Sequence, residues 1–385
     1  MKTIFIDGLG LVDGHFSGVG QYIYGILKGM DEYVDQAKYA GQLAPNIVVI
    51  VPYDSVARFK GFGFKHIGFK KIPLSFRVMS SLWHRGKLPP IDLICGRGIY
   101  IFPRFVGMPL LFSKSILVIY DLSFELHRQY SDEGNARFLS AAVKRSLPRS
   151  SRVITISQNA QKELLEFYAL PKDKVSVATP ATDPRIMYRR SPKEIESVKD
   201  KYEIKGDYIL ALSNLEPRKN LDMLVDVYCS LPARYRKNTS LLLVGVSGWK
   251  TDELFQKIVS KVQLGYNIIR PSRYVLDEDK PAIISGAKML VYPSHYEGFG
   301  MPPLEALACG IPVITSDNSS LPEVVGDSAV MIDSHDQDAL RKAIINQLES
   351  ADPQKLIDSG PAQAEHFSWQ SSAQVFLDAV KELDT

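Results

Sequence analysis

Short, unbroken apolar runs separated by segments of helical spacing mark both halves of the chain. In the first half the runs fall at residues 3–6, 47–51, 116–119 and 153–156. In the second they fall at 208–212, 241–244, 268–269, 289–292 and 313–315. They are rich in Ile, Val and Leu and do not alternate with polar residues, which is how strands covered on both faces of a parallel sheet read. Residues 20–30, 133–147, 159–167, 222–229 and 303–308 carry helix-like spacing between them. Strand and helix alternating twice over predicts an α/β protein of two doubly wound, Rossmann-like domains. Such pairs take ligands in the cleft between them, outside the carboxyl ends of the strands. Residues 183–206 are rich in charge, include Pro184 and Pro192, and read as a linker. The expected domains are therefore residues 1–190 and 191–367.

Composition adjusts this picture only in places. A chain of 385 residues is long enough for two cores, and 45% hydrophobic with 23% charged residues is ordinary for a globular enzyme. Cys95, Cys229 and Cys309 are far apart and form no metal-ligand pair, which fits a reducing, cytoplasmic setting. The opening MKTIFIDGLG reads as a strand entering a glycine loop, not as a signal peptide. No run of eighteen apolar residues exists, so membrane contact would be peripheral, at the inner face.

The net charge of +3 is small but unevenly spread. Residues 55–114 hold eleven Lys or Arg against one acid, Asp92, and interleave Phe59, Phe62, Phe64, Phe69, Phe76 and Trp83. Basic charge among aromatic rings suits an anionic membrane surface; the same pattern also suits a solvated basic face over a core of rings. Nucleic acid is not an expected partner.

The chemistry concentrates in MLVYPSHYEGFGMPPLEALACGIPVITSD, residues 289–317. A strand ends near Pro293, and a loop carries Glu297-Gly298-Phe299-Gly300. Pro302 and Pro303 open a helix, with Glu305 expected in its first turn and Gly310 at its end. Gly298 and Gly300 allow close backbone approach to a ligand, and the helix N-terminus is expected to offer free N–H groups to an anion. A carboxylate there can accept hydrogen bonds from sugar hydroxyls.

Glu297 and Glu305, with seven residues between them, resemble the paired-glutamate motif of retaining glycosyltransferase family 4. The likeness continues through Ser319-Ser320-Leu321-Pro322-Glu323-Val324 and back through Glu216-Pro217-Arg218-Lys219-Asn220, and covers most of residues 206–375. It implies the two-domain GT-B fold and a retaining transfer of a hexose from a UDP- or GDP-sugar to a glycan or lipid-linked acceptor. No His, Asp and Glu cluster has metal-ligand spacing, so no metal or cofactor is expected. By resemblance, Glu305 binds the donor ribose. Glu297 faces the transferred sugar with Gly298, the backbone of Phe299, Gly300 and Met301, and Leu304 behind them. Lys219 and Arg218 hold the diphosphate, and Tyr274 and Val275 lie along the base. A leaving β-phosphate gathers negative charge, which preplaced cations stabilise in a dry site. Many relatives have a further Arg where this chain has Ser213, which favours Arg218 as its replacement.

In the first half, Gly18 and Gly20 sit in the loop Asp13-Gly14-His15-Phe16-Ser17-Gly18-Val19-Gly20, ahead of a helix expected from Gln21. The matching loop of the family borders the donor phosphate. Tyr120-Asp121 stands where relatives have His-Asp against the sugar. His15, His84 and His127 are loose candidates for acceptor contacts, and Arg97, Arg104 and Arg128 for an acidic acceptor. Asp277-Glu278-Asp279 reads as acidic residues capping the next helix, not as a metal motif, and Ser320 with Glu323 as a capping box. Ser368 is expected to cap a closing helix, about 368–385, which in the family returns to the first domain. A GT-B nucleotide-sugar epimerase and a non-catalytic sugar-nucleotide-binding protein are the alternatives. A dinucleotide dehydrogenase is disfavoured because the glycine spacing is not G-x-G-x-x-G.

Overall fold

The computed structural model describes residues 2–13, 17–84, 89–350 and 354–384. The chain forms two compact units. One comprises Met1–Arg128, Glu133–Pro180 and Ser368–Thr385; the other comprises Gln129–Asp132 and Ala181–Phe367.

The first unit is built on a seven-stranded parallel sheet. Its strands are β1 (Ile4–Asp7), β2 (Ile47–Pro52), β3 (Ile67–Ile72), β4 (Ile99–Phe102), β5 (Lys114–Val118), β6 (Arg152–Thr155) and β7 (Val175–Val177), in the order β3-β2-β1-β4-β5-β6-β7. The central strands are buried along their length because helices cover both faces. β3 is an edge strand whose Lys70 and Lys71 are exposed, which is why no apolar run announces it. Phe59, Phe64 and Phe69 pack ring against ring beside it, and Phe62 and Tyr24 join them. Those aromatics of the basic stretch are packing residues.

The strand order reverses between β1 and β4, and a buried ion pair sits there. Asp7 is fully buried; it accepts a hydrogen bond from the Leu9 amide and lies 3.4 Å from Arg104 Nε. Burial pushes its carboxyl up to about 6, more than the Arg104 charge pulls it down. Helix Gly18–Tyr39 starts earlier than residue 21: Ser17 is its N-cap and accepts from the Gly20 amide at 3.3 Å. Helix Trp369–Asp384 lies on it, and the Trp369 ring occupies the space a side chain at Gly25 would need, 2.3 Å from that Cβ position. Ser368 caps this helix as its sequence predicts, accepting from the Ser371 amide at 3.1 Å.

The second unit carries a six-stranded parallel sheet. Its strands are β8 (Asp207–Leu212), β9 (Thr239–Val244), β10 (Ile268–Ile269), β11 (Met289–Tyr292), β12 (Val313–Ser316) and β13 (Val330–Ile332), in the order β10-β9-β8-β11-β12-β13. Two sheets of this kind are the GT-B architecture. The segment read as a linker contains a helix, Pro192–Lys201, closed by a full capping box between Ser191 and Glu194. Its charged surface leaves no buried residue, so it lacks the apolar stripe that announces a helix. No helix among the described residues is long and apolar enough to cross a membrane.

Candidate functional site

In the second sheet the strand order reverses between β8 and β11, and the loops after those two strands carry the predicted site residues. After β8 the chain turns through a short 3-10 segment, Pro217–Lys219, and leaves it at Asn220 with φ 55°. The left-handed backbone suits Asn, and the side chain is put to use. Its Nδ2 donates to Pro293 O at 3.1 Å and to Ser334 O at 2.7 Å, tying this turn to the loops after β11 and β13. The His295 amide donates to Arg218 O at 2.9 Å and closes the same seam.

These bonds bring two cations onto one carboxylate. Lys219 Nζ lies 2.6 Å from Glu297 Oε1 and 2.9 Å from the Tyr292 hydroxyl. Arg218 Nη1 lies 3.3 Å from Glu297 Oε2, while its Nη2 lies 2.9 Å from Glu216 Oε1. Lys219, Glu297 and Glu216 are buried. Burial alone would raise Glu297, but Lys219 and Arg218 overcome it and hold the carboxyl at about 2. Burial lowers Lys219 from its ordinary value, with Glu297 opposing. The result is a balanced cluster of two cations and two carboxylates. Glu216 and Tyr292 were not singled out as site residues; Glu216 stands in the quoted motif, while Tyr292 looks like any strand residue in the sequence.

The Glu297 loop is fixed from beneath. Ser320 Oγ lies 2.9 Å from Glu297 O and 2.6 Å from Phe299 O, which share its one proton, and Ser319 Oγ accepts from the Glu297 amide at 3.0 Å. Ser320 therefore makes no capping box with Glu323, since its hydroxyl is turned to the Glu297 loop. Gly300 has φ +124°, and a Cβ there would come within 2.8 Å of Leu321 Cδ2. Phe299 is buried edge-on to Phe367, Gly298 is buried, and Leu304 is fully buried beneath the loop.

Helix Met301–Ala308 begins at Gly300 as its N-cap. Pro302 and Pro303 have no N–H and the Leu304 amide bonds Gly300 O, so within the first turn only Met301 offers a donor. The anion site is narrower than the loop-to-helix pattern suggests. Glu305 falls in the second turn, not the first. It is buried, and burial raises its carboxyl; Lys280 works against that and Asp277 with it. Lys280 Nζ is 2.7 Å from Asp277 Oδ1. Asp279 stands at the N-cap of helix Lys280–Ser285 without capping it, because its Oδ2 accepts from Lys201 Nζ and the Tyr202 hydroxyl, both at 2.6 Å. Val275 is buried and Tyr274 is exposed. The His295 ring stacks between Tyr130 at 4.9 Å and His335 at 4.8 Å, and burial lowers it to about 4.

The remaining predicted residues belong to the first unit. Gly18 and Gly20 lie in the first turn of their helix, with the Gly20 amide taken by Ser17. Tyr120 is buried edge-on to Tyr22, and its hydroxyl donates to Pro103 O at 2.8 Å, leaving only its oxygen lone pairs for a ligand. Asp121 accepts from the amide and hydroxyl of Ser123 at 2.9 and 2.7 Å. Gly14, His15 and Phe16, and the His84 side chain, lie outside the described residues. Among the described residues, no three His, Cys, Asp or Glu come together as a metal site.

The family described as Glycosyl transferases group 1 matches residues 193–362. O-antigen chain mannosyltransferase B of Escherichia coli is 34% identical over 287 residues, 74% of each chain. The serotype-specific mannosyltransferase WbdA of Escherichia coli is 29% identical over 273 residues, 70% of this chain but only 34% of that longer protein. Among solved structures, HepE of Anabaena aligns over the whole of both chains with TM-score 0.70 at 16% identity. WaaG, a glycosyltransferase involved in lipopolysaccharide biosynthesis, covers 99% of each chain with TM-score 0.69 at 16% identity. The extent of the match to mannosyltransferase B and the GT-B architecture lead to one conclusion: the chain belongs to the group 1 glycosyl transferases and is a glycosyltransferase.

Proposed function

We propose that the chain moves a hexose from a UDP- or GDP-sugar to a glycan or lipid-linked glycan acceptor, with retention and without a metal. Mannose is the sugar named for its relatives, and O-antigen chains are the product named for one of them, so a mannosyl step in surface polysaccharide synthesis is the reading they favour. The observation that carries the chemistry is the placement of Lys219 and Arg218 on the Glu297 carboxylate at the point where the strand order reverses.

In the transfer, the bond from the anomeric carbon to the β-phosphate oxygen breaks and the phosphate keeps the electron pair. The acceptor oxygen bonds the same face of that carbon, and its proton passes to the departing phosphate. Lys219 and Arg218 meet the charge that develops there, and being already fixed they need no reorganisation at that moment. Glu297 keeps both cations in place and faces the sugar. It is not assigned as a nucleophile, because two cations hold its charge. Glu305 anchors the ribose from the helix beneath the loop. Gly18, Gly20, Tyr120 and Asp121 are assigned to the donor phosphate and sugar from the first unit.

The test is nucleoside diphosphate release from a panel of UDP-, GDP-, ADP- and dTDP-sugars, with and without a mannose-terminated acceptor glycan, beside Lys219→Ala. Release from one donor, lost in the variant, supports the reading. Absence of both release and binding across the panel overturns it.

A further inference from the structure

Four large apolar side chains stand exposed in one place on the first unit: Leu93 (58% exposed), Ile94 (39%), Leu111 (59%) and Phe112 (57%). Two separate chain segments supply them, and one buried carboxylate joins those segments. Asp92 accepts from the amides of Leu111, Phe112 and Ser113 at 3.0, 2.7 and 3.0 Å, and the Ile91 amide donates to Pro109 O. A loop that spends a buried carboxylate on three amides is held in shape, so its apolar side chains face water in a fixed array. The two segments lead into the amino ends of β4 and β5, the sheet edge opposite the one where Asp7 and Tyr120 lie.

Two cations border the patch. The Arg97 guanidinium lies 4.8 Å from the centre of the Phe112 ring, and Lys114 is exposed beside it. Asp92 is the only acid between residues 55 and 114, and its charge is taken up by the three amides. The C-terminal helix brings two more acids near, since Lys114 Nζ donates to Leu383 O. Both are matched: Glu382 by Arg152 at 3.1 Å and Asp384 by Lys2 at 3.3 Å.

We propose that Leu93, Ile94, Leu111 and Phe112, flanked by Arg97 and Lys114, seat the first unit on the headgroup layer of an anionic lipid bilayer. Exposed apolar groups that enter the acyl boundary and cations that meet lipid phosphate are the two components of interfacial binding, and here they coincide. This deepens the reading of a lipid-linked acceptor and rests on it: the enzyme meets its acceptor at the surface where that lipid resides. It also relocates the membrane contact within the basic stretch, from the packed rings near Phe59 to this edge.

The experiment is co-sedimentation of the full chain with phosphatidylglycerol vesicles and with phosphatidylcholine vesicles, for wild type, L111S/F112S and Lys114→Glu. Wild type should partition onto the anionic vesicles, at least tenfold less onto the neutral ones, and less as salt rises. Both variants should lose at least tenfold while keeping nucleoside diphosphate release from a soluble donor. Equal partition onto the two vesicle types, or partition untouched by L111S/F112S, overturns the proposal. So does concentration-dependent self-association that L111S/F112S abolishes without any vesicle binding, which would give the patch to a second copy of the chain. Lys219→Ala serves as the separating control: it should lose release and keep partition, so the donor reading and the membrane proposal fail independently.

Discussion

Each sheet has a buried carboxylate at the point where its strand order reverses, and the two behave in opposite ways. In the first unit Asp7 sits where the strand order reverses; one guanidinium 3.4 Å away does not offset its burial, and its carboxyl is pushed up to about 6. In the second, Glu297 is buried at that sheet's reversal with Lys219 and Arg218 upon it, and is held at about 2. Burial is a constant between them. The number and closeness of the cations differ, and that decides which carboxylate is ionised throughout the working pH range. Only the second arrangement holds two cations fixed on one ionised carboxylate.

The comparison can be broken most decisively at Lys219. Lys219→Ala should lower kcat for donor cleavage by about 10²–10³-fold, the loss typical of one preplaced transition-state donor, with a smaller change in donor affinity. Near-normal turnover in a steady-state assay would remove Lys219 from the leaving-group site. Next is the acid side of stability. Glu297 has a depressed pKa, so its contribution is complete above its ordinary value of 4.5 and is lost as pH falls toward 2. Urea unfolding should place Glu297→Gln about 3 kcal/mol below wild type at pH 7, with the gap closing below pH 4.5.

Asp7 has the opposite sign. Its raised pKa means that stability is greatest below its ordinary 3.8 and declines as pH rises through about 6. Asp7→Asn should flatten that decline, an effect of about 2–3 kcal/mol between pH 4 and 7 in the same titration. A decline of equal size in wild type and variant would show that Asp7 is not its source. The smallest expected effect is Glu305→Ala, which should weaken donor binding by about 1–3 kcal/mol in calorimetry; unchanged affinity would end its assignment to the ribose.

Much of this was legible in the chain, for a physical reason: strands buried on both faces must be apolar throughout, so β1, β2, β5, β6 and β8 to β12 show as unbroken runs. The strands that escaped are mostly exposed ones. β3 carries Lys70 and Lys71 on an open edge, and β13 pairs on one side only and is half-covered. β4 is fully buried and was just as readable; nothing physical hid it. The motif names Lys219, Arg218 and Glu297, and the structure brings both cations within hydrogen-bonding distance of Glu297. What the motif could not carry is the scaffolding made by ordinary residues. Ser320 reads as a cap because Glu323 follows it by three, yet the Glu297 and Phe299 carbonyls compete for its hydroxyl and win. Glu305 moved by one turn because the helix begins at Met301, two residues ahead of the expected start.

The return of the helix Trp369–Asp384 to the first unit has a consequence for how the chain is made. Phe376, Leu377 and Val380 lie in that helix and are buried, and Trp369 fills the space over Gly25, so the first unit is incomplete until the chain beyond Phe367 has been synthesised. The second unit, whose last residue is Phe367, has all its parts earlier. On the ribosome the unit that begins first should therefore be finished last, its helix Gly18–Tyr39 waiting with an uncovered face while the second unit closes.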